Sequence, residues 1–246
     1  MFLVLLVSVF VARYLGVESF GLLNYLLAII ALLSPLSSLG LNAIVTRELV
    51  KRKQNQLTIM STVIVFRFIG AVIAIVLLFV FYLLGFFTQL DTVLWGLILL
   101  SLTNVFVAFH VIDYWFQAQV QSKYVVKMRL GCIVVISTTK LSLVYLQAPF
   151  SAFIWLAGIE SLIISFGFMG IYILRKGIFQ WRAIDWQYGI GLLKQSKWLV
   201  LSGLASIIYL KIDQVMLTEM VSAKENGIYA VASRISEVWY FFPTAL

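Results

Sequence analysis

Ten ionisable residues of the 246-residue chain lie inside, or at the edges of, long apolar runs: Arg67, His110, Asp113, Lys140, Glu160, Lys211, Asp213, Glu219, Arg234 and Glu237. A charge at the centre of a membrane helix costs about 2.5–3.5 kcal/mol on insertion scales. Such residues are therefore the first place to look for function. Glu160 lies ten residues into one run and Lys140 at a matching level of the run before it. At 1.5 Å rise per residue their depths differ by about 5 Å. Antiparallel neighbours can pair them, either in a functional site or as an ion pair that only fixes packing.

Lys211 and Asp213 are two residues apart, so they project about 200° apart on a helix and cannot share a face. Arg234 and Glu237, like His110 and Asp113, are three apart and can meet along a helix. The lone His110 reads as an interface residue rather than a proton relay. Arg67, one turn into its run, reads as a side chain that snorkels to the membrane surface. Together these groups predict a polar interior within a helical bundle. The basic candidates Lys140, Lys211 and Arg234 suit an anionic passenger in a cavity. The acidic candidates Glu160, Asp213 and Glu237 suit coupling to a proton or sodium ion.

Enzymatic patterns are missing from the sequence. There is no Gly-rich phosphate loop, no nucleophile elbow and no acidic loop for a metal–nucleotide sugar. One histidine and one cysteine (Cys132) exclude a His/Cys metal cluster and an internal disulfide. No enzyme activity and no cofactor are expected. The 18 basic residues are not pooled in one patch, and no nucleic-acid partner is expected.

The elements that position these residues are set by composition. The chain is 63% hydrophobic and 11% charged, against about 45–50% and about 25% in soluble domains. A water-soluble globule and a disordered chain are both excluded. At roughly 20 apolar residues per span, the chain holds about eight membrane helices and no sizeable soluble domain. The expected class is all-α and polytopic. The spans read as 1–15, 20–39, 63–87, 92–116, 130–147, 150–174, 198–221 and 227–246, with Pro243 expected to kink the last. The first is short. It lacks the basic start and cleavage site of a signal peptide, so it reads as a helix.

The loops alternate in charge. Arg47, Lys51, Arg52, Lys53, Lys123, Lys127, Arg129, Arg175, Lys176, Arg182, Lys194 and Lys197 all follow even-numbered spans, whereas only Arg13 and Lys224 follow odd-numbered ones. This positive-inside bias places the N-terminus in the cytoplasm. Residues 175–197 interleave Phe179, Trp181, Trp186 and Tyr188 with basic residues. That pattern suits an interfacial helix, or a loop with belt aromatics, joining a first bundle (1–174, six spans) to the start of a second (198–246, two spans). A faint echo supports two repeated halves. Residues 9–29 align with 215–235 at an offset of 206, matching Val9 to Val215, Gly21 to Gly227 and Ile29 to Ile235. Three identities in 21 are near chance for so apolar a composition.

Specific strings narrow the class. Val11-Ala12-Arg13-Tyr14-Leu15-Gly16-Val17-Glu18-Ser19-Phe20-Gly21 resembles the signature that ends the first span of polysaccharide export flippases. Ser37-Ser38-Leu39-Gly40-Leu41 with Arg47-Glu48-Leu49-Val50, and Tyr114-Trp115-Phe116-Gln117-Ala118 with Ser122-Lys123-Tyr124, resemble their second and fourth loops. Ile212-Asp213-Gln214-Val215-Met216-Leu217, and Gly227-Ile228-Tyr229 through Ser236-Glu237-Val238-Trp239-Tyr240, resemble their spans seven and eight. The matches are collinear over nearly the whole chain. They resemble most the O-antigen and capsule-type flippases of the multidrug/oligosaccharidyl-lipid/polysaccharide exporter superfamily.

The resemblance implies 12 to 14 spans in two bundles around a central cavity. It implies export of undecaprenyl-diphosphate-linked oligosaccharide across the bacterial inner membrane by alternating access. It also implies membrane lipid as surroundings, a glycan polymerase and chain-length machinery as partners, Gly16 and Gly21 shaping the turn after span one, and Asp213 and Glu237 as cavity polarity. Family members continue beyond Leu246 and begin with more of span one, so the chain is expected to be a fragment. A lone half cannot close a two-bundle cavity. The alternatives are a drug/cation antiporter of the same superfamily, an integral-membrane polysaccharide enzyme, and an inactive fragment.

Overall fold

The structure is a computed structural model that describes residues 2–87, 93–177, 181–182 and 184–237. The described residues form α-helices joined by short turns, as the bilayer demands of any open chain that must satisfy its own backbone. In order they are α1 (Phe2–Ser38), α2 (Asn42–Lys51), α3 (Gln56–Leu83), α4 (Leu94–Asn104), α5 (Val111–Ala118), α6 (Ser122–Tyr145), α7 (Phe150–Lys176), α8 (Trp186–Met220) and α9 (Ala223–Glu237). A 3-10 stretch, Val105–His110, links α4 to α5. Among the described residues, six helical stretches are long and apolar enough to cross a membrane. The protein is an all-α, polytopic membrane protein.

The first of those stretches is two helical segments. Its helix is broken at Gly16, with φ 76° and ψ 163°, a region open essentially to glycine alone. Val4 and Leu27 line one cavity, yet a straight helix would hold them about 35 Å apart. The chain therefore doubles back at Gly16, and the expected loop between spans one and two is a single-residue break. Gly21 takes no part in that turn. It sits instead in a helix–helix contact with α9.

Two buried apolar clusters hold the bundle. One, at the Gly16 end, packs α1, α4 and the start of α7 around Tyr25, Leu26 and Ile154. The other, at the opposite end, packs α2, α3, α5 and α7 around Met60, Ile64, Phe116 and Phe168. Helix α2 covers this second end. Its buried face is Ile44, Val45, Glu48 and Leu49, a helical spacing inside what reads by charge as a loop.

This covering corrects the expectation for Arg67. Its side chain does not snorkel: the residue is 2% exposed, donates to Asn42 on α2 and lies 5.1 Å from the Tyr114 ring centroid. The 175–197 segment also differs from an interfacial helix. Helix α7 runs to Lys176, and α8 starts at Trp186 and continues unbroken through Trp198 to Met220. Asp185 caps it by accepting from the Tyr188 amide at 2.8 Å, which satisfies one of the first-turn donors. Phe179, and the last span beyond Glu237 with Pro243, lie outside the described residues.

The Gly16 conformation predicts a measurable cost. Gly16→Ala is expected to lower the apparent melting temperature in detergent, consistent with about 1–3 kcal/mol of backbone strain. Gly170→Ala, on open helix surface in α7, should leave it unchanged or raise it.

Candidate functional site

The two segments of α1, with α6, α7, α8 and α9, line an open cavity of two adjoining lobes. One lobe, of about 450 Å³, is lined by Ser8, Asn24, Lys211, Gln214, Ser233 and Arg234 among apolar residues. The second, of about 360 Å³, is lined by Ser8, Ser137, Lys140, Glu160, Ser161 and Arg234. Ser8 and Arg234 belong to both, so Arg234 stands at the junction.

Helical spacing explains the convergence. Lys211 and Gln214 are three apart on α8, and Ser137 and Lys140 three apart on α6, so each pair shares a face. Asn24 is held in place at both ends. Its amide donates to the Phe20 carbonyl at 2.7 Å, and its oxygen accepts from Arg234 Nη2 at 3.1 Å. Arg234 also lies 5.6 Å from the Phe20 ring centroid. The Arg234–Asn24 bond ties α9 to α1. Interhelical hydrogen bonds in membranes average about 0.6 kcal/mol, so this tie orients the guanidinium without locking the helices together.

The structure places Lys211 in one lobe, Lys140 in the adjoining one and Arg234 in both. Lys140 Nζ meets Glu160 Oε2 at 3.0 Å, and both side chains are about one-third exposed. The pair offsets its own charge, so Glu160 adds no net negative potential to its lobe. Asp213 does not line the cavity: its Oδ2 accepts from the Tyr229 hydroxyl at 2.5 Å, joining α8 to α9. Glu237 ends α9, and its side chain lies outside what the structure describes. His110 packs edge-on against Phe168 with centroids 4.9 Å apart. Asp113 pairs with Arg129 at 2.7 Å and accepts from Gln117 at 3.1 Å, away from the cavity.

Sequence reasoning passed over the uncharged polar members. Ser8, Asn24, Ser137 and Gln214 interrupt apolar runs at buried positions, and that interruption was the available signal. Glu219 accepts from the Tyr25 hydroxyl, linking α8 to α1. A separate polar cluster covers the opposite end. There Glu48 of α2 meets Arg47 at 3.2 Å and Arg52 at 3.5 Å, and accepts from the Tyr188 hydroxyl at 3.0 Å. Arg47 donates to Gln195 at 2.7 Å, so the base of α8 is clasped to α2.

A cavity with this lining can take an elongated polar ligand carrying negative charge. Its basic groups meet acidic oxygens, and its amides and hydroxyls meet hydroxyl groups. A family model described as "Polysaccharide biosynthesis protein" matches residues 1–240. No curated protein and no solved structure matches the chain. The chain belongs to the polysaccharide biosynthesis protein family.

The Lys140–Glu160 pair is expected to behave as a reciprocal contact. Lys140→Glu and Glu160→Lys should each reduce the monodisperse protein recovered by gel filtration, by placing like charges side by side. The double swap should restore it. Recovery no better than the worse single variant would deny the pairing.

Proposed function

We propose that this polysaccharide biosynthesis protein translocates an undecaprenyl-diphosphate-linked oligosaccharide unit across the bacterial cytoplasmic membrane, by alternating access and coupled to an ion. The observation that carries this reading is the cavity itself. Lys211 and Arg234 face a space between helices of the first bundle and the α8–α9 pair, and amide and hydroxyl groups surround them. A diphosphate is the anionic part of such a substrate, and Arg and Lys suit it as fork and point charge. Asn24, Gln214 and the serines offer the neutral hydrogen bonds that sugars need.

The topology that accompanies the proposal follows the positive-inside rule: the N-terminus and the α2 end lie in the cytoplasm, and the Gly16 end faces outward. The protein acts as a transporter rather than an enzyme, upstream of glycan polymerase and chain-length machinery. Ion coupling is assigned to Glu160, Asp213 and Glu237. The Lys140–Glu160 pair gives this a physical basis, because a proton on Glu160 would release Lys140 toward the cavity.

Reconstituted vesicles loaded with fluorescent lipid-linked oligosaccharide test the reading. Arg234→Gln and Lys211→Gln are each expected to lower the initial rate by about tenfold, the scale of one lost charge-assisted contact. Arg234→Lys should retain part of the rate. Unchanged rates in both Gln variants would sink the cavity assignment. Export of cationic dyes in place of the glycolipid would favour a drug/cation antiporter. Ion-driven transport left intact by both Glu160→Gln and Asp213→Asn would remove the coupling assignment.

A further inference from the structure

The contact between Gly21 and α9 is reciprocal. A Cβ on Gly21 would collide with the Ala223 carbonyl oxygen, and a Cβ on Gly227 with the Val17 carbonyl oxygen. An offset of 206 carries Val17 onto Ala223 and Gly21 onto Gly227. It also carries the Gly16 break onto Ser222, in the turn before α9. The second segment of α1 and α9 therefore begin in matching register. They also run parallel, since Asn24 further along one meets Arg234 further along the other. Two helices in matching register cross through their backbones. A glycine on each helix, with Ala223 four residues before Gly227, allows that approach.

The crossing lies between the cavity and the Gly16 end of the bundle. Phe20 and Asn24, next to it on α1, already line the cavity. Backbone contact at Gly21 and Gly227 leaves no passage at that point. Two hydrogen bonds flank it: the Asn226 amide donates to the Gly21 carbonyl at 2.9 Å, and the Tyr25 hydroxyl donates to Glu219. At the far end, α8 is clasped by Glu48 and Arg47 and pressed against Gly40, where a Cβ would stand 2.8 Å from the Val200 nitrogen.

We propose that the Val17–Gly21/Ala223–Gly227 crossing is the gate that closes the cavity at the Gly16 end. The clasped base of α8 is its pivot. Gly21 and Gly227 put no side chain of their own into the crossing, so the two helices separate once the flanking hydrogen bonds and the Asn24–Arg234 tie break. Tyr25, Asn226 and Glu219 are the positioning residues that hold it shut. This assignment rests on the reading of the cavity as a transport path.

Thiol accessibility tests it without requiring transport. In the full chain with Cys132→Ser, Ser8→Cys reports on the cavity. A membrane-impermeant maleimide is applied from either side of the membrane. The otherwise unaltered protein is expected to label only from the α2 side. Gly21→Leu and Gly227→Leu should each raise labelling from the Gly16 side by about tenfold, as a steric bias on a two-state equilibrium does. Should the leucine variants fail to insert, the double variant Tyr25→Phe/Asn226→Ala removes both bridges without adding bulk. It is expected to raise the same labelling at least about twofold.

Labelling from the Gly16 side that stays at the unaltered level in every inserted variant overturns the gate. So does equal labelling from both sides in the unaltered protein. A gate that responds in a protein that moves no glycolipid overturns the transport reading and leaves the gate standing. If the two sides of the membrane exchange roles, the gate also stands and only the orientation is reversed.

Discussion

Every backbone N–H and C=O within hydrocarbon must find its partner inside the protein. That constraint makes each span a helix, and a helix satisfies all but its terminal backbone groups. Polar side chains then pair with one another, with a backbone carbonyl in reach, or with a ligand. Much of the bundle follows from this. Lys140 meets Glu160, Asp113 meets Arg129, Asp213 meets Tyr229, and Asn24 meets Arg234. The cavity lies where such groups from several helices converge.

The same constraint explains where the backbone departs from regular helix. The Gly16 break needs a residue without a side chain, and the two segments it joins line the same cavity. Close helix contacts recur at glycine: Gly70 against the Leu36 carbonyl, Gly40 against α8, and Gly21 against α9. Without a strong hydrophobic drive between helices in lipid, close van der Waals packing is a large part of what remains. Glycine permits it by letting two backbones touch. The packing is thus tight at points and loose between them, which suits a bundle that holds a cavity.

Much of this architecture was legible in the sequence. The long apolar runs correspond to helices, with ends displaced by up to about a dozen residues: α6 starts at Ser122 rather than residue 130, and α8 at Trp186 rather than 198. Hydropathy marks what lies in lipid, whereas a helix continues past the membrane until a cap or breaker stops it. Helix α2 was hidden by its charge, because Arg47 and Lys51 occupy one face while Ile44, Val45 and Leu49 occupy the other. Arg67 was misjudged for the same reason, since the helix that buries it was read as a loop. The weak echo at offset 206 takes on structural meaning in the close approach of Gly21 and Gly227.

By itself the sequence determined the class, the approximate spans, the charge asymmetry of the loops and which ionisable groups would be costly inside them. These follow from composition and period, which are local properties of the chain. Only the tertiary structure decided which of those groups share a space. Lys140, Lys211 and Arg234 come from three helices, and their common cavity depends on how each helix is rotated about its axis. Rotation is set by packing between surfaces that are apolar on nearly every side. A helix that is hydrophobic all round carries no stripe to declare which face turns inward.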